Sequence, residues 1–190
     1  MPLRTAADEV GHALFDTTIG VCGIAWGPRG VLAVQLPEVD AASTRRRLLK
    51  SLPAVGPEGV PPPPAVSQAM AGIQGLLAGE PRHLREVVLD MDRLTPFQRQ
   101  VYALARAIEP GQTRTYGELA QALGDKGLAR AVGQAMGHNP FAPVVPCHRV
   151  LAAGNRPGGF SAQGGAATKL RMLAIEGAQP MGMASLFDDL

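Results

Sequence analysis

The sequence predicts an α+β protein: a small N-terminal α/β domain with a β-sheet, then a mainly helical C-terminal domain containing a helix-turn-helix and a cysteine-bearing loop. Three observations carry this. Two short β-rich apolar stretches flank a Gly-Pro-Arg-Gly turn near the start, and from Thr95 onward the apolar residues recur with helical spacing behind two N-capping signatures. The chain has 190 residues, 46% of them apolar. That length allows one large domain or two small ones.

In chain order, Val21 to Trp26 and Val31 to Leu36, separated by Gly27-Pro28-Arg29-Gly30, read as a β-hairpin that starts a small sheet. A helix is expected over Ala41 to Leu52, followed by a stiff proline-rich connection at 53–65, where the repeated ring closures forbid regular structure. A helix over Val66 to Leu77 ends near Gly79, and Arg85 to Leu89 reads as a strand. Residues 1–94 thus form the first domain. At Thr95, the run Thr95-Pro96-Phe97-Gln98 supplies an N-cap, a proline at the first helical position and a reciprocal glutamine. Phe97, Val101, Leu104, Ala105 and Ile108 mark the buried face of that helix. Thr115-Tyr116-Gly117-Glu118 is a second capping box, opening a short helix that Gly124 ends. A further helix carries Leu128, Ala131, Val132 and Ala135 and stops at Gly137-His138-Asn139-Pro140, so the pair reads as a helix-turn-helix. Arg130 and Gln134, four apart, share one face of its second helix. The last helix, about Ala167 to Glu176, is closed by Gly177, and 179–190 reads as a flexible tail. The domains are therefore 1–94, 95–178 and the tail.

Charge and composition narrow the function. No run of apolar residues is long enough for a membrane helix, and the N-terminus lacks an export signal, so a cytoplasmic location is expected. Residues 1–94 carry nine Lys/Arg against ten Asp/Glu, whereas 95–178 carry nine against four, which makes the second domain the place for a polyanion. Cys22, His12, His83 and His138 have no close ligand spacing, so neither metal nor cofactor is expected. The most informative residues are Pro146-Cys147-His148-Arg149-Val150, followed by the glycine-rich stretch Gly154 to Gly159. A thiol reacts as its thiolate, and a neighbouring imidazole can take the proton. Adjacency in sequence alone favours a buried inert thiol over a reactive one.

The motifs TPFQRQVYALARAI, TRTYGELA, ARAVGQAMGHNP, VVPCHRV, GGFS and KLRMLAIEG, in that order from Thr95 to Gly177, resemble the O6-alkylguanine-DNA alkyltransferases, also called methylated-DNA-protein-cysteine methyltransferases. FDTTIGVCGIAWGPRGVLAVQLPE looks like the smaller domain of that family.

The resemblance implies direct, irreversible transfer of an alkyl group from O6 of guanine, or less readily O4 of thymine, to Cys147. For that, Cys147 must be exposed and ionisable. By the same resemblance His148 withdraws its proton through a bound water, Glu176 orients and charges the imidazole, Tyr116 donates to N3 of the departing guanine and Asn139 braces the turn. Val145, Pro146, Phe160 and Ser161 would shape the pocket. Arg130 would fill the gap left by a nucleotide rotated out of the duplex. The helix bearing Arg130, with Ala129, Gly133 and Gln134, would lie in the minor groove of double-stranded DNA, with Thr115 and Arg149 also at the DNA. The protein would act as a monomer.

The sequence departs from the family pattern in having Phe160 where a tyrosine is expected and a longer loop over Ser161 to Thr168. Ser185-Leu186-Phe187 resembles the end of a bacterial sliding-clamp peptide; a free terminus with a chance apolar triplet is the competing account. Two rival functions remain: a non-catalytic alkylated-DNA-binding protein, against which Cys147 itself argues, and a cysteine hydrolase, which would leave the helix-turn-helix without a purpose.

Overall fold

The computed structural model describes residues 10–178 except 53 and 55. Ser185, Leu186 and Phe187 and the rest of the expected tail lie outside the described residues. Among the described residues, no helix is long and apolar enough to cross a membrane.

Three antiparallel strands, β1 (Gly11–Thr17), β2 (Gly20–Gly27) and β3 (Gly30–Gln35), form a sheet in sequential order. The β2–β3 hairpin turns where the sequence places it. Gly30 there has φ +132°, and a Cβ would fall 2.6 Å from the Val88 carbonyl oxygen, so the turn needs glycine twice over. β1 is an additional strand, paired with β2 from Gly11↔Trp26 to Thr17↔Gly20. Both faces of β2 are covered. Ile24 and Trp26 pack with Ile73, Leu76 and Leu77, while Ala25 packs with Ala33 and Leu48 on the other side. This double burial explains its unbroken apolar run.

Helix α1 (Ala41–Lys50) is capped by Asp40, whose carboxylate accepts from the Ser43 amide at 2.7 Å. Helix α2 (Pro64–Leu77) begins two residues earlier than the sequence suggests, because Pro64 occupies the first turn, where the missing amide costs nothing.

The expected strand at Arg85 to Leu89 does not form. Leu84 has φ +52°, and only Leu89 pairs, in a single bridge with Val31. The Arg106 guanidinium donates to the carbonyls of Leu84, Arg85 and Val87, which occupies acceptors a β-ladder would have used. Arg85 in turn donates to the carbonyls of Arg106 and Ala107 at the end of the next helix. Two arginines thus take the place of a strand.

Helix α3 (Pro96–Arg106) carries the full capping box, with Thr95 and Gln98 bonding each other's main chain at 3.1 and 3.0 Å. Strand β4 (Arg114–Thr115) leads into helix α4 (Tyr116–Ala122), where Thr115 and Glu118 repeat that box. A 3₁₀ turn at Lys126–Leu128 joins it to helix α5 (Ala129–Gly137). The buried faces of α3, α4 and α5 enclose Val101, Tyr102, Leu119, Val132 and Phe141, and the Tyr102 hydroxyl donates to the Ala135 carbonyl at 2.8 Å.

A second pairing positions the site. Strand β4 runs parallel to β5 (Val150–Leu151), bringing the first turn of α4 beside the loop that holds Cys147. Helix α6 (Ala166–Ile175) closes over this arrangement. The two halves of the chain meet through the Val34 amide, which donates to the Pro140 carbonyl at 2.8 Å.

Candidate active site

Cys147, His148 and Arg149 form one 3₁₀ turn directly before β5. Cys147 is 6% exposed rather than open to solvent, but it lines a cavity of about 240 Å³ together with Asn139, Phe160, Ser161 and residues of β3. Burial pushes its thiol pKa up, and the Asn139 side chain and the Lys169 ammonium pull the other way. The resting group is therefore a thiol that needs a base. Cys22, buried beneath the sheet and pushed up to about 12, is the inert counterexample.

An imidazole stands next to it in sequence and is fully buried. His148 Nε2 lies 2.7 Å from Glu176 Oε1, while its Nδ1 is buried without a partner. Because a carboxylate only accepts, Nε2 must carry the proton, which leaves the Nδ1 lone pair free to accept another. Burial lowers the His148 pKa, opposed by Glu176, so the imidazole is neutral at physiological pH. Glu176 is the C-cap of α6, with its side chain 2% exposed. Burial alone would raise its pKa; the hydrogen bonds and charges of His148 and Arg149 outweigh that and hold it down to about 2.

Arg149 does not stand at a DNA surface. It is 1% exposed, and its guanidinium reaches Glu176 at 3.0 and 2.7 Å and the Ile108 carbonyl at 2.7 Å. A buried carboxylate needs a countercharge, and Arg149 supplies it from inside the fold, out of reach of a phosphate at the surface.

Asn139 braces the turn from both ends of its amide: Nδ2 donates to the Val145 carbonyl at 2.8 Å and Oδ1 accepts from the Phe141 amide at 2.9 Å. Those bonds turn Val145 into the helical core at 0% exposure, and neither Val145 nor Pro146 lines the cavity, unlike Phe160 and Ser161.

Tyr116 opens α4, and its ring packs on the glycine loop. A Cβ on Gly158, where φ is +70°, would sit 3.2 Å from that ring, so a larger residue would displace the tyrosine. Burial raises the Tyr116 pKa, with Cys147 adding to the effect, so the phenol keeps its proton and can donate it. Arg130 and Gln134 are exposed on α5, while Ala129, Gly133 and Thr115 are half-buried. The Thr115 hydroxyl is already the cap acceptor for the Glu118 amide.

Lys169 is a residue that sequence reasoning missed. It is 0% exposed, donates to the Val150 carbonyl at 2.6 Å, and lies 5.7 Å from the Tyr116 ring centre and 5.9 Å from that of Phe160. Burial draws its pKa down to about 8, partly offset by Cys147. The signal was present: Lys169, Met172, Leu173 and Glu176 form one i, i+3, i+4, i+7 stripe, and a lysine on a buried stripe needs a reason. Phe160, lacking a hydroxyl, keeps its aromatic face toward this cation. Among the described residues, no three His, Cys, Asp or Glu side chains gather as a metal-holding group.

Comparison with known proteins places this arrangement. The profile described as 6-O-methylguanine DNA methyltransferase, DNA binding domain, matches residues 96–178. The chain is 42% identical over 127 residues to the methylated-DNA–protein-cysteine methyltransferase of Mycolicibacterium paratuberculosis, covering 66% of this chain and 74% of that protein. To the protein of the same name from Methanothermobacter thermautotrophicus it is 34% identical over 167 residues, covering 87% and 82%. Among solved structures, Mycobacterium tuberculosis OGT in complex with DNA superposes with a TM-score of 0.70 at 33% identity, covering 88% of this chain and 93% of that one.

Proposed function

Since this chain belongs to the O6-methylguanine DNA methyltransferase family, we propose that it repairs alkylated DNA by moving the alkyl group from O6 of guanine onto its own cysteine, Cys147. The observation that carries this reading is the relay around the thiol: a buried imidazole with Nε2 held by Glu176 and Nδ1 left open, next in sequence to a cysteine that lines a cavity.

The chemistry follows from those groups. Nδ1 of His148 takes the Cys147 proton through a water, and the resulting imidazolium is stabilised by Glu176. The thiolate attacks the alkyl carbon; the C–O6 bond breaks and an S–C bond forms. Guanine leaves with the bonding electron pair on its ring system, where a hydrogen bond from the Tyr116 hydroxyl stabilises the charge until the base takes up a proton from solvent. Lys169 favours the thiolate electrostatically while this happens. The product is a thioether with no ionisable proton, so nothing restores the thiol and each molecule reacts once. In a titration of excess O6-methylguanine duplex, repair is expected to stop at one lesion per protein. Continued turnover would rule out this mechanism and favour a hydrolase.

The reading divides the chain at residue 95: residues 95–178 hold DNA and the reacting groups, and residues 1–94 support them. A monomer, acting in the cytoplasm without metal or cofactor, approaches duplex DNA with α5 in the minor groove. The small side chains of Ala129 and Gly133 and the exposed Arg130 and Gln134 support that docking. The target nucleotide must leave the stack to reach a cavity floor where Cys147 is 6% exposed, and Arg130 fills the space it vacates. Arg130→Ala is expected to slow repair of duplex DNA about 10–100-fold, the cost of unstacking without a substitute, while reaction with free O6-benzylguanine is unchanged. Equal losses on both substrates would remove Arg130 from that role.

A further inference from the structure

The catalytic relay lies wholly in the second half of the chain, yet one side of the Cys147 cavity is built by the first half. Ala33, Val34 and Leu36 of and beside β3, with Arg47 of α1, stand across from Phe160, Ser161 and Ala162. We propose that Arg47 is a positioning residue for the reaction: it clamps the glycine-rich loop, and with it the Ser161 edge of the cavity, to the N-terminal sheet. This inference rests on the alkyltransferase reading and deepens it.

The geometry is specific. Arg47 Nη2 donates to the Ser161 carbonyl at 2.8 Å, a contact spanning 114 positions of sequence. Its other terminal nitrogen, Nη1, pairs with Glu38. Glu38 is itself fixed, with its side chain 12% exposed: its carboxylate also accepts from Gln35 Nε2 at 3.3 Å, and its amide donates to the Thr44 hydroxyl at 2.9 Å. A guanidinium that holds the anchored Glu38 carboxylate through one terminal nitrogen and the Ser161 carbonyl through the other ties the loop to the sheet, because the planar fork loses little freedom on bonding.

The loop needs such a tie. Gly158, Gly164 and Gly165 have φ of +70°, +85° and +54°, and a glycine-rich segment has many competing conformations. Among the described residues, the Arg47 bond is the only hydrogen bond that reaches the main chain of residues 158–161. Ser161 lines the same cavity as Cys147, so its position sets how a base seated there meets the thiol.

The experiment compares Arg47→Ala, Arg47→Lys and, as a control on the same helix, Arg46→Ala, in two measurements on the full chain. Amide hydrogen exchange of Gly165, whose amide donates to the Ala162 carbonyl at 3.0 Å, is read without DNA, and the maximal rate of Cys147 alkylation is read with free O6-benzylguanine. Arg47→Ala is expected to speed exchange and to slow alkylation, each about fivefold, the value of one net hydrogen bond. Arg47→Lys, which keeps one donor, recovers part of both, and Arg46→Ala changes neither. Wild-type exchange in Arg47→Ala overturns the clamp, and faster exchange with an unchanged rate overturns its role in the reaction. If the wild-type chain itself takes no alkyl group, the alkyltransferase reading fails, and exchange alone then decides whether Arg47 holds the loop.

Discussion

Glu176→Gln is expected to slow alkyl transfer to Cys147 about 10²–10⁴-fold, the range that a positioned general base contributes. The amide keeps the volume and one acceptor but removes the charge that stabilises the imidazolium formed when His148 takes the thiol proton. Two pH effects accompany the loss. Glu176 raises the His148 pKa, so without it the acid limb of the rate profile moves to lower pH even as the plateau falls.

Stability responds as well. A carboxylate held down to about 2 in the folded state, against 4.5 as the ordinary value, stabilises the fold fully above about pH 4.5, and that contribution drains away as pH falls toward 2. At about 1.4 kcal/mol per pH unit the contribution is on the order of 3 kcal/mol. His148 acts in the same direction over a higher range: its folded pKa is lowered, so the unfolded chain binds the proton more readily and stability declines below about pH 6.5. Acid unfolding of the wild type should therefore be steep, and the Glu176→Gln profile flatter below pH 4.5. A folded Glu176→Gln protein that reacts at the wild-type rate would disconnect the carboxylate from the chemistry.

Local rules made the helices legible, and distant partners hid much of the rest. Thr95 with Gln98 and Thr115 with Glu118 announce their helices because a capping box is complete within four residues. β1 went unseen because its strand character rests on pairing with β2, not on its own mixed run Gly11–Thr17. The strand expected at Arg85 to Leu89 was lost to Arg106, about 20 residues further on, whose guanidinium took its carbonyls.

The site divides along the same line. Cys147 and His148 are neighbours in sequence, and Glu176 follows on the next helix, so the resemblance could mark them. Arg149, expected at the DNA, is instead inside the fold. Only its three-way hold on Glu176 and Ile108 shows why it is buried. Lys169 and Arg47 bond carbonyls 19 and 114 positions away, and no spacing rule reaches that far.

The other large effect is absolute. Cys147→Ala is expected to abolish transfer, because no other thiol can substitute: Cys22 is 0% exposed and held as a thiol at a pKa of about 12. An alanine at 147 leaves the neighbouring turn braced by Asn139, so the variant should still fold and bind lesion-containing duplex. Binding without transfer would separate recognition from chemistry.

The most direct test of the account is intact-mass analysis with peptide mapping after incubation with an O6-methylguanine oligonucleotide. The account predicts a gain of one methyl group, mapped to the peptide containing Cys147 and missing in Cys147→Ala. An unmodified protein, or a methyl group on Cys22, would contradict it.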